Sequence, residues 1–158
     1  MKLVAPEDIP MGEIVPLDDK AHLYNIFTDM IKICEDEQGI GLSAVQVGLP
    51  YKMFVVKYGE KFRCFLNCNY EPTTESKQSL SLEGCLSLRS PDGRLRFFEV
   101  ERWDRIKVSG TEFCLSTFDY MFDFIECVSS PLSVVFQHEI DHDCGKLISD
   151  IGKEVLIF

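Results

Sequence analysis

The sequence predicts an α+β fold, with many short strands and two main helices. Two observations carry this expectation. Apolar residues recur at helical spacing in one stretch after Asp19 and in another that ends near Gly145. Between them, short apolar runs separated by turn residues follow one another, as antiparallel strands do. The second helical stretch contains FQHEIDHD, residues 136–143, and the rest of the chain is organised around it.

Residues 1–16 hold three prolines and read as an extended arm without chemistry. Asp18 or Asp19 caps the first helix, whose buried face is Leu23, Ile26, Phe27, Met30, Ile31 and Cys34. Gly39 is expected to end it in the left-handed conformation. The glycine-rich stretch at residues 39–48 suggests a place where another backbone approaches closely. Residues 51–58 and 61–66 read as a hairpin across Gly59-Glu60. Residues 67–79 are polar and read as a mixture of short strand and loop. Residues 95–102 and 105–108 read as strands, with a turn near Ser109-Gly110. The aromatic stretch 113–127 alternates from Phe118 to Phe124 as a strand does. Ser129 or Ser130 caps the second helix, with Pro131 in its first turn and Gly145 at its stop.

At 158 residues the chain is expected to be one domain, 1–158. Its formal net charge of -10 argues against a nucleic-acid groove and against docking on an anionic membrane. No apolar run is long enough to span a membrane, and Met1 does not open a charged-then-apolar leader. The seven cysteines are an odd number, read as reduced thiols of a cytoplasmic protein.

His138 and His142 lie one helical turn apart, so a helix puts both imidazoles on one face, where they can share a divalent metal. Glu139 then sits beside the metal's water. HExxH alone leaves the enzyme class open. A metzincin-type third histidine would fall where Ile148 stands, and a thermolysin-type downstream glutamate has only Glu154 to supply it, close to the chain end. The third ligand is therefore sought upstream, where Cys85 has the best context, between Gly84 and Leu86.

Three stretches together, GIGLSAVQVG (39–48), EGCLS (83–87) and QHEIDH (137–142), resemble the motifs of peptide deformylases in order and separation. The resemblance covers roughly residues 17–150. It implies antiparallel sheets packed around a central helix carrying HEIDH, with one N-terminal helix. It implies a Cys85, His138, His142 ligand set for one divalent ion, ferrous iron in cells, with zinc, nickel or cobalt able to replace it. It implies Glu139 as proton shuttle, with the Gln46 amide and the Leu86 N–H as donors to the oxyanion. The implied substrate is an N-formylmethionyl peptide bound as an added strand along Ile40, Gly41 and Gly84. Its methionine enters a pocket with Ile40, Val134 and Val135 as walls. Two rivals share HExxH: a metallopeptidase, and a non-catalytic metal- or peptide-binding relative.

Within its motifs the chain departs from the family pattern at two residues. Ser43 stands where the family usually has alanine, and Asp143 stands where leucine usually follows the second histidine. Asp143 is expected either to orient His142 or to face water. Residues 113–127 look like an insertion or a rewritten hairpin. The family's basic C-terminal helix is not matched, which resembles shortened, phage-encoded members, for which the compartment would be a bacterial host's cytosol. Ribosome docking is therefore doubtful. Residues 148–158 are expected to cover the metal helix instead.

Overall fold

The computed structural model describes residues 1–157. Its elements are α1 (Lys20–Asp36), β1 (Gly41–Ser43), β2 (Met53–Tyr58), β3 (Lys61–Pro72), β4 (Gln78–Arg89), β5 (Leu95–Trp103), β6 (Arg105–Cys114), β7 (Asp119–Ser129), α2 (Leu132–Asp143), the one-turn α3 (Ile148–Ile151) and β8 (Lys153–Val155). Two antiparallel sheets form, a five-stranded one in the order β1-β2-β3-β6-β7 and a three-stranded one in the order β4-β5-β8. Short 3-10 turns occupy Pro6–Asp8 and Ala44–Val47.

Both faces of the large sheet are covered, which explains the continuous apolar run of β2. Met53 and Val55 join α1 in one core, while Phe54 and Val56 join α2 in the other. A bulge between Leu66 and Asn69 in β3 changes the parity of the strand. Phe65 and Cys68, three residues apart, therefore share the α2 side. Phe136 of α2 is fully buried there, against Phe54, Phe65 and Tyr58 at ring-centroid distances of 5.8, 5.0 and 6.2 Å. Truncating such a side chain to alanine typically costs about 3–5 kcal/mol.

Helix α1 begins where expected: the Asp19 side chain accepts from the His22 N–H at 2.9 Å. Its end differs. The left-handed residue is Gln38, with φ 58, and Gly39 instead packs with no room for a Cβ beside Leu86 and Cys34. Helix α2 also differs at its start. Pro131 occupies the N-cap position and no side chain caps the helix; the Ser130 hydroxyl meets that of Ser133 at 3.3 Å. Its stop is as expected, with Gly145 at φ 78 and its N–H on His142 O.

Ser109-Gly110 is not a turn. β6 runs through it, and Gly110, at φ 154, sits in a bulge where a Cβ would strike Cys68. Residues 113–127 form the β6–β7 hairpin, and β7 is the free edge of the large sheet. Phe113 and Phe124 are core; Phe118 is exposed in the turn before β7, at φ 54, and Phe122 is exposed because a second register shift interrupts the alternation. After α2, Ile148 packs with Cys85, Leu88, Phe98 and Val100, and β8 pairs with β5. This segment thus covers the small sheet; Phe158 lies outside the described residues.

Candidate metal centre

Helix α2 runs between the two sheets and is buried nearly all round: Phe136, Gln137, Glu139, Ile140, Asp141, His142 and Asp143 are all inaccessible. A helix so enclosed must satisfy its polar side chains internally. Gln137 does so against β5, accepting from Trp103 N at 3.0 Å and donating to Trp103 O at 2.8 Å. His138 and His142 share one face, their ring centroids 4.8 Å apart. Opposite them, the pairing of β4 with β5 breaks between Gly84 and Arg89. That break carries Cys85 out of the ladder. Its Sγ lies 3.5 Å from His142 Nε2, and the ligand atoms of Cys85, His138 and His142 all lie within 4.8 Å of one another.

The set suits a late divalent cation: one soft thiol and two imidazoles, enclosed by protein. His138 Nδ1 is 2.9 Å from Glu83 Oε1, which leaves its other ring nitrogen for the cation. Burial, reinforced by the Arg102 guanidinium, holds His142 well below the usual imidazole range, in the neutral form a ligand needs. Glu83 is buried, which raises its pKa, but bonds from His138 and Arg102 outweigh burial and hold it below the usual carboxylate range. The Arg102 guanidinium grips Glu83 with two bonds, of 2.9 and 3.0 Å, and reaches Asp141 with a third. Asp141 in turn accepts from Tyr70 OH at 3.1 Å. The chain Tyr70–Asp141–Arg102–Glu83–His138 thus fixes one ligand through four elements, β3, β4, β5 and α2, and shares out its buried charges.

Glu139 points at the glycine-rich segment. A Cβ on Gly41 would come within 2.6 Å of its Oε1, so any larger residue there would push the carboxylate aside. Its Oε2 is buried and unpartnered, and burial pushes its pKa up to about 7. Gln46 is buried in the 3-10 turn that follows β1. Ser43 N–H donates to its Oε1 at 3.0 Å, which turns Nε2 toward Cys85 Sγ, at 3.4 Å, and Ser87 Oγ, at 2.9 Å. Leu86 follows Cys85 in the same break of the ladder.

A pocket of about 370 Å³ opens over this cluster. Ile40, Gly41, Gly84, Val134 and Val135 line it, as do Gln46, Cys85, Leu86, His138 and Glu139. His142 is not on its lining; it lies beneath, 1% exposed. Ile40, 61% exposed, lines the pocket at its rim. Leu82, Leu95, Phe97 and Pro131 complete the apolar lining.

The sequence reading assigned no role to Arg102, Asp141, Tyr70 or Ser87. A signal existed for two of them. Arg102 shares strand parity with Phe98 and Val100, both core, so an arginine there had to meet buried carboxylates. Asp141 stands three residues from His138, one turn along the same helix. Asp143 does neither of the things expected of it. It is 1% exposed, and its Oδ1 accepts from Ser43 Oγ at 2.9 Å, not from His142. The two departures from the family pattern, 100 residues apart, are bonded to each other.

Comparisons with known proteins agree on one family. The profile of the polypeptide deformylase family matches residues 10–155. A peptide deformylase of Psychrobacter arcticus is 34% identical over 133 residues, spanning 82% of this chain and 66%, just under two thirds, of that protein. A peptide deformylase of Syntrophomonas wolfei is 30% identical over 156 residues, 98% of this chain and 94% of the relative. The crystal structure of peptide deformylase from Thermotoga maritima superposes with a TM-score of 0.77 at 28% identity, covering 96% of this chain and 97% of that one.

Proposed function

The chain belongs to the peptide deformylase family, and from that membership and the site we infer that it removes the formyl group from N-formylmethionine at the amino terminus of nascent polypeptides. It is a metal-dependent hydrolase. One observation carries the reading: a thiol and two imidazoles converge beneath a pocket that also holds a buried carboxylate, Glu139, and a buried amide, Gln46.

Cys85, His138 and His142 would hold one divalent cation, ferrous iron in the cell, with zinc, nickel or cobalt as substitutes. When bound, the ion supplies Lewis acidity that makes a water nucleophilic near neutral pH. Glu139 accepts the proton of that water and returns it to the departing amine. Gln46 Nε2 and the Leu86 N–H donate to the oxyanion that develops on the formyl oxygen. An amide suits this role, since it donates without adding a charge that would compete with the cation. The peptide lies as an extra strand along Gly41 and Gly84, with Ile40 at the rim and its methionine side chain against Val134 and Val135. The products are formate and a free amino terminus.

Seven free cysteines support a reducing, cytoplasmic setting, and among the described residues no helix is long and apolar enough to cross a membrane. We read residues 1–158 as one domain, without direct nucleic-acid contact. The test is formate release from formyl-Met-Ala-Ser by cation-loaded protein, beside an assay for cleavage of the unformylated peptide. Formate without cleavage is expected. Peptide-bond cleavage would make it a metallopeptidase, and binding without turnover a non-catalytic relative.

A further inference from the structure

Gln46 is turned toward Cys85 by a neighbour that is itself tied to the metal-ligating helix. Ser43 ends β1 and precedes the 3-10 turn. Its N–H holds Gln46 Oε1 at 3.0 Å, and its hydroxyl stands 2.9 Å from Asp143 Oδ1 and 3.4 Å from Met53 O. A hydroxyl has one proton, and the shorter contact to a carboxyl group is the stronger. Asp143 follows His142 directly on α2, and its backbone carbonyl is anchored by Gly12 N–H at 3.0 Å. Ser43, Gln46 and Asp143 are all 2% exposed or less, so water cannot replace these partners. Among the described residues, the Ser43–Asp143 bond is the only hydrogen bond between the segment 41–47 and α2.

We propose that Asp143 and Ser43 are positioning residues: their bond locks the glycine-rich segment to α2 and so fixes the Gln46 amide relative to the metal ligands and the reacting formyl oxygen. Neither touches substrate. The bond acts because Ser43 uses its backbone for Gln46 and its side chain for Asp143, so a shift at one end moves the other. An oxyanion donor must meet a position reached only in the transition state, so misplacement lowers kcat more than it raises KM.

The inference rests on the deformylase reading and is tested in zinc-loaded enzyme. Asp143→Leu removes the acceptor, and Ser43→Ala removes the donor while keeping the backbone N–H. Each is expected to lower kcat about tenfold or more with KM little changed, in keeping with the sensitivity of such sites to small displacements. Asp143→Asn keeps an acceptor oxygen and is expected to restore kcat to within about threefold of the parent. The double variant should be no worse than either single one, and neither substitution should lower kcat further in a Gln46→Leu background. A second arm does not need catalysis. In uniformly 15N-labelled protein the Gln46 side-chain amide should be slow to exchange in the parent and in Asp143→Asn, and fast in Asp143→Leu and Ser43→Ala, at equal zinc content. The proposal is overturned if the kcat loss persists without Gln46, if it follows loss of zinc, or if the Gln46 amide is unchanged. If Asp143→Leu does not fold, Ser43→Ala carries the same comparisons. An inactive parent would sink the deformylase reading, while the amide measurement would still decide whether the bond orients Gln46.

Discussion

Asp143 brings a carboxyl group into the interior with one oxygen bonded and the other unpaired. Burial, opposed by the Ser43 bond, raises its pKa from 3.8 to about 8. The sign of the linkage follows. A carboxyl whose folded pKa is raised contributes fully below the unfolded value of about 3.8, and that contribution is lost as pH rises through about 8. Asp143→Asn, which cannot ionise, should therefore melt higher than the parent by a margin that grows from pH 5 to pH 8. A margin independent of pH would mean that the carboxyl is ionised throughout. Among the thiols, only Cys85 joins the ligand cluster, so Cys85→Ala should lose most of its bound metal after purification, while Cys34→Ala and Cys127→Ala keep theirs. Full occupancy in Cys85→Ala would refute its role as ligand. At this scale the sequence was legible where chemistry dictates spacing, as in His138 and His142. It was not legible for the Ser43–Asp143 bond, because nothing local signals a partner a hundred residues away.

Elements were legible where periodicity is strong. The apolar face of α1 and the β2–β3 hairpin lie where their patterns put them. Misreadings fell where the backbone departs from regular geometry. A bulge at Gly110 looks like a turn in sequence, since glycine serves both. Gln38 in the left-handed conformation displaced Gly39 from the role of helix stop, because Gly39 is needed for close packing. The alternation read from Phe118 to Phe124 does not make one buried face, because the register shift turns Phe122 outward. The meeting of β1 with α2 gives a direct test. A Cβ at Gly41 would displace the Glu139 carboxylate, so Gly41→Ala should keep its metal and lose at least about tenfold in turnover, as expected when a catalytic group is misplaced. Parental turnover would show that Glu139 can act from another rotamer.

The molecule as a whole carries a formal net charge of -10. Ribosomal RNA repels such a surface, and at physiological salt only contacts within about 8 Å escape screening. Turnover of short formylated peptides is therefore expected without measurable affinity for ribosomes. Co-sedimentation at low and moderate salt checks this, and saturable pelleting would reveal a basic docking face that the net charge conceals.

The ligands come from two bodies of the fold: Cys85 from the three-stranded sheet, His138 and His142 from the helix that backs the five-stranded one. An ion held by all three is thus a cross-link, closing a chain loop from Cys85 to His142 much as a disulfide would. Stripping it with a chelator should loosen the halves unequally. The small sheet has a single-turn helix and the three-residue β8 to brace it, while the large sheet keeps both of its cores. Amide exchange in β4, β5 and β8 should accelerate on chelation well before that in β2 and β3, and calorimetry of the stripped protein should resolve a low-temperature shoulder that disappears when zinc is restored. Uniform acceleration across both sheets would mean that the cross-link is mechanically silent.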